Sequence, residues 1–314
     1  MTAYATGTAS SHTDLWSKLL NFLTTNVDLV AANEDWTVAW SNGNQRVLKG
    51  PGLSESDEVF IGLRLNADVA LDSYWLELRG MSGVLTGATD VGGHINVSKK
   101  VGLYLDANPF TYWFIANGRR FIVVLRISTV YQVAYGGLFL PYSTPLSYPY
   151  PMFVGGTRGD NPAPPLSWRS VADDHTLFTS PNFKSSPARD SSAWMLDPSG
   201  QWLRCWNHGD DPGDPKIGMA PEQMFDGLGV DPTRYDAIRK RTTATFDGTY
   251  PLTDVSLVQK IPADETFGVL DGVYRVAGIG LASENMVAAD GVTHMVVQNV
   301  FRTAAGEYIA VGLD

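Results

Sequence analysis

FTYWFIANGRRFIVVLRI, residues 110–127, decides how the rest of the chain reads. Phe121, Val123, Leu125 and Ile127 recur at every second position, which is the period of an extended strand. Ile122 and Val124 between them are also apolar, so both faces of this strand are expected to be covered. Asn117-Gly118 stands between two apolar runs. That dipeptide tolerates the positive φ values of a type I′ turn, whose twist matches a pair of antiparallel strands. The stretch predicts a hairpin, with one strand over residues 111–116 and the other over 119–127.

The same period runs outward on both sides. Trp36, Val38 and Trp40 alternate with Thr37 and Ala39. Val59, Ile61, Leu63 and Leu65 share a face opposite Phe60, Gly62 and Arg64, and Tyr74, Leu76 and Leu78 share one opposite Trp75, Glu77 and Arg79. Downstream, Asp197-Pro198-Ser199-Gly200 separates two short apolar runs with good turn chemistry. Asp247-Gly248, Asp271-Gly272, Asp290-Gly291 and Gly306 read as further hairpin turns, Val292 to Asn299 alternate, and a last strand is expected over 307–311. Helical spacing is confined to two places. Ser11-His12-Thr13-Asp14 resembles a capping box, and Leu15, Leu19, Phe22 and Leu23 then fall on one face, predicting an amphipathic helix over 14–25. Asp231-Pro232 starts a short helix that runs to about Arg239.

The fold class expected is mainly β, with antiparallel sandwich or barrel-like sheets, an N-terminal amphipathic helix and one or two short helices. The expected organisation is an N-terminal arm and helix over 1–30, a β-rich region over 31–100, and a second β-rich region over 101–314. No fixed-period repeat of the solenoid or propeller kind is present.

Nine of the 18 prolines lie between Pro141 and Pro187. Proline has no amide donor and a fixed φ, so residues 141–187 are expected to form a long excursion containing neither a central strand nor a long helix. Its aromatics, among them Tyr142, Tyr148, Tyr150, Phe153 and Trp168, are anchors for a partner, packed on their own domain, or a platform for sugar stacking on exposed Trp, since aromatic side chains bury much area at little entropic cost. With Trp16 of the helix they form the candidate partner interface. Residues 1–10 are small and polar and read as a mobile or partner-bound arm.

Composition narrows the function classes. The net charge is −10, apolar residues make up 44% and charged residues 18%, enough apolar mass for a sizeable core and too little basic charge for broad nucleic-acid binding. No apolar run approaches the roughly 20 residues of a membrane helix. The first residues show no basic segment followed by an apolar block, so no secretory signal is expected. Cys205 is the only cysteine, which excludes an intrachain disulfide, and it reads as a buried, inert thiol.

No motif carries chemistry. The five histidines do not pair at ligand spacing, so no zinc site is expected. The acidic stretch 208–214 lacks the terminal glutamate of a calcium loop and has Pro212 in a ligand position, which favours a plain turn. Gly155-Gly156-Thr157-Arg158-Gly159 lacks the Lys-Ser/Thr of a phosphate-binding loop. Arg158-Gly159-Asp160 spells an adhesion tripeptide with nothing else in support. There is no Gly-x-Ser-x-Gly elbow. No cofactor, metal or catalytic residue is expected.

Two groups of residues carry a family resemblance. YWFIANGRRFIVV at 112–124, with Thr129-Val130-Tyr131, Tyr135-Gly136-Gly137 and Pro149-Tyr150-Pro151, is one; Leu270-Asp271-Gly272-Val273-Tyr274 with VQNVFRT at 297–303 is the other. Together they resemble virion structural proteins of tailed bacteriophages, of the kind found among tail and baseplate components, over the chain from about residue 110 onward. The resemblance implies a non-enzymatic structural subunit, made in the bacterial cytoplasm and located in the virion tail. It implies a ring, trimeric or hexameric, in which arms and strand edges contact copies of the chain and other tail or baseplate proteins, with no membrane and no nucleic acid as partner. A glycan- or receptor-binding module at the tail tip is the alternative, and a glycan-degrading enzyme stands behind both.

Overall fold

The computed structural model describes residues 2–52, 58–144, 147–159, 167–170, 192–205, 216–220, 252–259, 265–304 and 306–314. The chain opens with β1 (Ala3–Ala9), α1 (His12–Thr25) and α2 (Val27–Ala32). A five-stranded antiparallel sheet follows in sequence order: β2 (Thr37–Asn42), β3 (Gln45–Gly50), β4 (Val59–Asp68), β5 (Ser73–Met81) and β6 (Val101–Leu105). The remaining strands build a larger sheet. They are β7 (Phe110–Ala116), β8 (Arg120–Ile127), β9 (Val130–Leu138), β10 (Leu140–Pro141), β11 (Met152–Gly155), β12 (Ala193–Leu196) and β13 (Trp202–Cys205). After these come β14 (Lys216–Ala220), β15 (Thr253–Gln259), β16 (Glu265–Val276), β17 (Met286–Ala289), β18 (Val292–Gln298) and β19 (Tyr308–Gly312). Its strand order is β1-β7-β8-β9-β11-β12-β13-β14-β15-β16-β19-β18-β17, with β10 beside β16. The protein is therefore mainly β, and no barrel closes among the described residues, because the path ends at β1 on one side and β17 on the other.

The hairpin β7–β8 forms with Ala116 opposite Phe121. Its turn is not type I′, since neither Asn117 nor Gly118 has a positive φ. The Asn117 side chain organises a four-residue loop instead. Its Oδ1 accepts from the amides of Arg119 (2.9 Å) and Arg120 (3.0 Å), while its own amide donates to the Arg120 carbonyl. Glycine is required at 118 for space, because a Cβ there would lie 2.8 Å from Pro51 Cγ. Paired positive φ values occur at Asp290 (52°) and Gly291 (80°), the turn joining β17 to β18. Asp271-Gly272 is not a hairpin turn. It lies within β16, where Gly272 has φ 75°.

Both faces of β8 are covered. Phe121, Val123, Leu125 and Ile127 enter a core shared with Ile61, Leu63 and Leu65 of β4, Leu76 and Leu78 of β5, and Leu15, Leu19, Phe22 and Leu23 of α1. Ile122 and Val124 enter a second core with Val133 and Tyr135, closed by Met295, Val297, Ile309 and Val311. The larger sheet thus curls until its β18–β19 end faces β7–β9. A polar clasp holds the curl: Glu284 accepts from the Tyr131 hydroxyl (2.6 Å) and pairs with Arg126. Each large apolar side chain taken fully out of water contributes about 1.5–3 kcal/mol. Helix α1 begins as its sequence predicts, with Ser11 Oγ accepting from the Asp14 amide and Asp14 accepting from the Ser10 amide.

Three expectations are corrected. Residues 3–9 are no free arm but strand β1, in unbroken antiparallel register with β7. The segment rich in proline does supply an interior strand. β11 pairs with β9 on one side and β12 on the other, because Met152–Gly155 is proline-free and keeps every ladder donor. The alternation around Trp40 does not produce a half-buried strand. β2 is an edge strand with a register shift between Val38 and Trp40, and Trp36 precedes it, buried edge-on against Phe121 with its indole N–H on the Asn117 carbonyl (2.9 Å). The helix expected from Asp231 and the turn at Asp247-Gly248 lie outside the described residues.

The two sheets meet along backbone. Gly102 of β6 and Arg158 exchange amide–carbonyl bonds of 2.9 and 2.8 Å. A Cβ at Gly102 would sit 2.0 Å from the Leu76 carbonyl oxygen, and one at Gly156 would sit 2.3 Å from the Gly102 oxygen. Neither backbone neighbour can yield cheaply. Gly102→Ala and Gly156→Ala are each expected to cost about 2 kcal/mol or more. Gly83→Ala, whose Cβ meets nothing closer than 3.4 Å, should be close to neutral in chemical denaturation.

Candidate functional site

The six residues expected at a partner interface do not come together. Phe153 is fully buried, edge-on to Tyr135. Tyr148 is buried between Phe139 and Phe267, and its hydroxyl donates to the Leu196 carbonyl. Both belong to the protein's own core, a correction with a plain reason: proline denies the backbone a donor but leaves neighbouring side chains free to pack. Trp16 lies half-buried on α1 against the first core. Tyr142 and Tyr150 remain exposed, at 66% and 41%.

Trp168 sits in a different place, at one end of the first core. It packs on a small cluster of Tyr104, Val130 and Val300, and its indole N–H donates to Asp106 Oδ2 at 2.6 Å. Arg169 lies over the Trp168 ring at 4.7 Å and reaches Asp72 at 2.9 Å, which ties this point to the tip of the β4–β5 hairpin. His12, the first residue of α1, stacks on Tyr74 at 4.2 Å, and its amide donates to the Asp106 carbonyl. Trp168, Arg169 and the hairpin tip therefore share one end of the molecule. This end is the candidate interface.

A buried polar cluster was not visible in the sequence. Asp271 accepts hydrogen bonds from Arg119 Nη2 and Asn117 Nδ2, each at 3.1 Å, and Arg120 Nε stands 3.4 Å away as an ion pair. Burial alone would raise the Asp271 carboxyl, but Arg120 and Arg119 outweigh it and hold the group below the ordinary aspartate range. The Arg120 side chain passes over Gly272, where a Cβ would come within 2.4 Å of its Nη2. The cluster joins the β7–β8 turn to β16. The only signal available beforehand was Arg-Arg directly after a turn.

Other chemistry is scarce. Burial pushes the Cys205 thiol well above its ordinary value, so it is not a ready nucleophile. No group of three or more metal-ligating side chains occurs among the described residues, and stretch 208–214 and Asp160 lie outside them. No described helix is long and apolar enough to cross a membrane. The chain matches no protein-family model and no curated protein.

Two predictions follow from these groups. Asp271→Asn leaves Arg120 buried without its counter-charge and should cost about 3 kcal/mol or more in urea denaturation. The Asp271 contribution is complete above the ordinary aspartate range and drains away as pH falls through it. For His12, His94 and His294, burial lowers the imidazole below its ordinary 6.5. The unfolded chain then takes up protons first, so stability is full above pH 6.5 and falls as pH drops below it. The melting temperature should decline between pH 7.5 and 5.5, a window of about one unit on each side of the ordinary imidazole value, and His12→Phe, which keeps the stack on Tyr74, should flatten that slope.

Proposed function

We propose that this chain is a structural subunit of a tailed-bacteriophage virion, in the tail or baseplate, folded as a two-sheet sandwich and assembled through strand edges into a ring. The carrying observation is the outer edge of β1. This strand runs seven residues without a bulge or a charged side chain, and among the described residues it pairs on one side only. Lys18 Nζ donates to the Thr8 carbonyl at 2.8 Å, so that carbonyl points away from β7. Alternation along an antiparallel strand sends the backbone groups of Thr6 and Tyr4 the same way. Protected edges look different in this same molecule. At β6 the buried Gln132 amide takes both the N–H (2.7 Å) and the carbonyl (2.9 Å) of Tyr104.

Open edges are templates for another strand. The larger sheet ends in two different uncharged strands, β1 and β17, so pairing β1 of one copy with β17 of the next is heterologous. Heterologous contacts that close on themselves give rings. On this reading neighbouring tail or baseplate proteins use the remaining edges. The chain is made in the bacterial cytoplasm, takes its place in the virion tail, and turns over no substrate. The free arms that the resemblance implied are replaced by edges, because residues 3–9, Tyr148 and Phe153 are already committed to the fold.

Native mass spectrometry of the purified chain should show species at three or six times 34.2 kDa. Thr6→Lys, which puts a charge on the exposed side of β1, should collapse them to the monomer while the circular-dichroism spectrum stays that of the folded chain. A wild-type chain that stays monomeric, and is absent from purified particles, overturns the reading.

A further inference from the structure

The chain contains two Asn-Gly pairs, Asn42-Gly43 and Asn117-Gly118, and the fold treats them oppositely. Asn117 is 5% exposed and its side chain is fully engaged. Its Oδ1 accepts from the amides of Arg119 and Arg120, and its Nδ2 donates to Asp271. The Gly118 amide donates to Glu34 Oε2 at 3.1 Å.

Asn42-Gly43 lies at the β2–β3 hairpin, where Asn42 pairs with Gln45. Gly43, the first of the two central residues, has φ 55° and Asn44 has no positive φ, the pattern of a type II′ turn. Asn42, Gly43 and Asn44 are all exposed, and a Cβ at Gly43 would meet nothing within 4 Å. Among the described residues the Gly43 amide donates to no acceptor. Arg46 Nη1 donates to the Gly43 and Gln45 carbonyls, each at 2.7 Å, which holds a guanidinium cation at the turn. The Asn42 side chain makes one contact of consequence. Its Nδ2 donates to the Thr89 carbonyl at 2.9 Å. With Gln45 Oε1, which accepts from the Val91 amide at 2.8 Å, it tethers the segment whose Val84, Val91 and Val97 cover Val47, Phe60 and Met81.

We infer that Asn42 is a site of spontaneous deamidation through a cyclic imide, that the fold directs this chemistry to Asn42 and spares Asn117, and that the product releases the Thr89 tether. The Gly43 nitrogen gives up its proton to solvent base and bonds to Asn42 Cγ. The Cγ–Nδ2 bond then breaks, and the side-chain nitrogen takes up a proton and leaves as ammonia. Water adds to one of the two imide carbonyl carbons and reopens the ring. Breaking the new bond gives aspartate, and breaking the original peptide bond gives isoaspartate. One water is consumed and one ammonia released. Glycine leaves its nitrogen unhindered, and the Arg46 cation favours the negative charge that develops at the turn. The resulting carboxylate only accepts hydrogen bonds, so it repels the Thr89 carbonyl where the amide held it.

Peptide mapping by mass spectrometry of the full chain, aged in mildly alkaline buffer, tests this. The one-dalton gain from amide to acid should accumulate at Asn42 about tenfold or more faster than at Asn117, whose conversion has to wait for local opening. In urea, where the fold protects neither site, the two should convert at comparable rates. Asn42→Gln would have to close a six-membered ring, and the gain at position 42 should vanish over the same period. Asn42→Asp carries the product's charge from the start. It should raise hydrogen exchange at residues 88–93 about threefold or more, while the circular-dichroism spectrum stays that of the folded chain. An Asn42 that stays intact, equal rates at the two asparagines in the native chain, or a preference for Asn42 that persists in urea overturns the inference. So does exchange at 88–93 that Asn42→Asp leaves unchanged. None of these readouts depends on ring assembly.

Discussion

The structure depends on a strand that has no solvent side. β8 sends Phe121, Val123, Leu125 and Ile127 into one core and Ile122 and Val124 into another. A strand of that kind must be covered twice. The five-stranded sheet with α1 covers one face, and the returning β16, β18 and β19 cover the other. The curl of the larger sheet meets this demand, bringing Met295, Val297, Ile309 and Val311 over Ile122 and Val124. The Glu284 contacts to Tyr131 and Arg126 then hold the returning end in place.

Close packing of two layers on one strand leaves little room where the layers join. The chain answers with glycine at Gly102 and Gly156, where backbone meets backbone, and with Gly272, over which Arg120 passes. It also buries charge at that join. Arg120 is 2% exposed and shares Asp271 with Arg119. Such a group adds less net stability than an apolar substitute of the same shape, but removing one member leaves its partner uncompensated. The cluster therefore specifies how the β7–β8 turn meets β16 more than it adds to overall stability.

Edges are treated unequally, and this bears on assembly. β6 is sealed by Gln132 and by the Arg158 bridge, and β2 is bent by a bulge at Ala39. Among the described residues β1 is capped at Thr8 only, by Lys18. The edge that runs against the protein's own core is sealed, whereas β1 and β17 end the larger sheet.

Period-two alternation and the capping of α1 are local properties, so the hairpin β7–β8, strands β4, β5, β18 and β19, helix α1 and the double burial of β8 could all be read from residue order. The turn conformation at Asn117-Gly118 could not, because contacts from Glu34, Pro51 and Trp36 select it. Of the aromatics read as a candidate partner interface, Tyr148 and Phe153 belong to the core instead. Proline content reports which amides are missing, and says nothing of where neighbouring aromatic rings lie. The partnership of Asp271 with Arg119 spans 152 positions, and sequence pattern carries no information over that distance. Local sequence by itself determined which segments are strands and which faces are apolar, because these depend on steric and solvation preferences of near neighbours. Only the tertiary structure decided which edges stay open and which charges meet, because both depend on where distant segments come to rest.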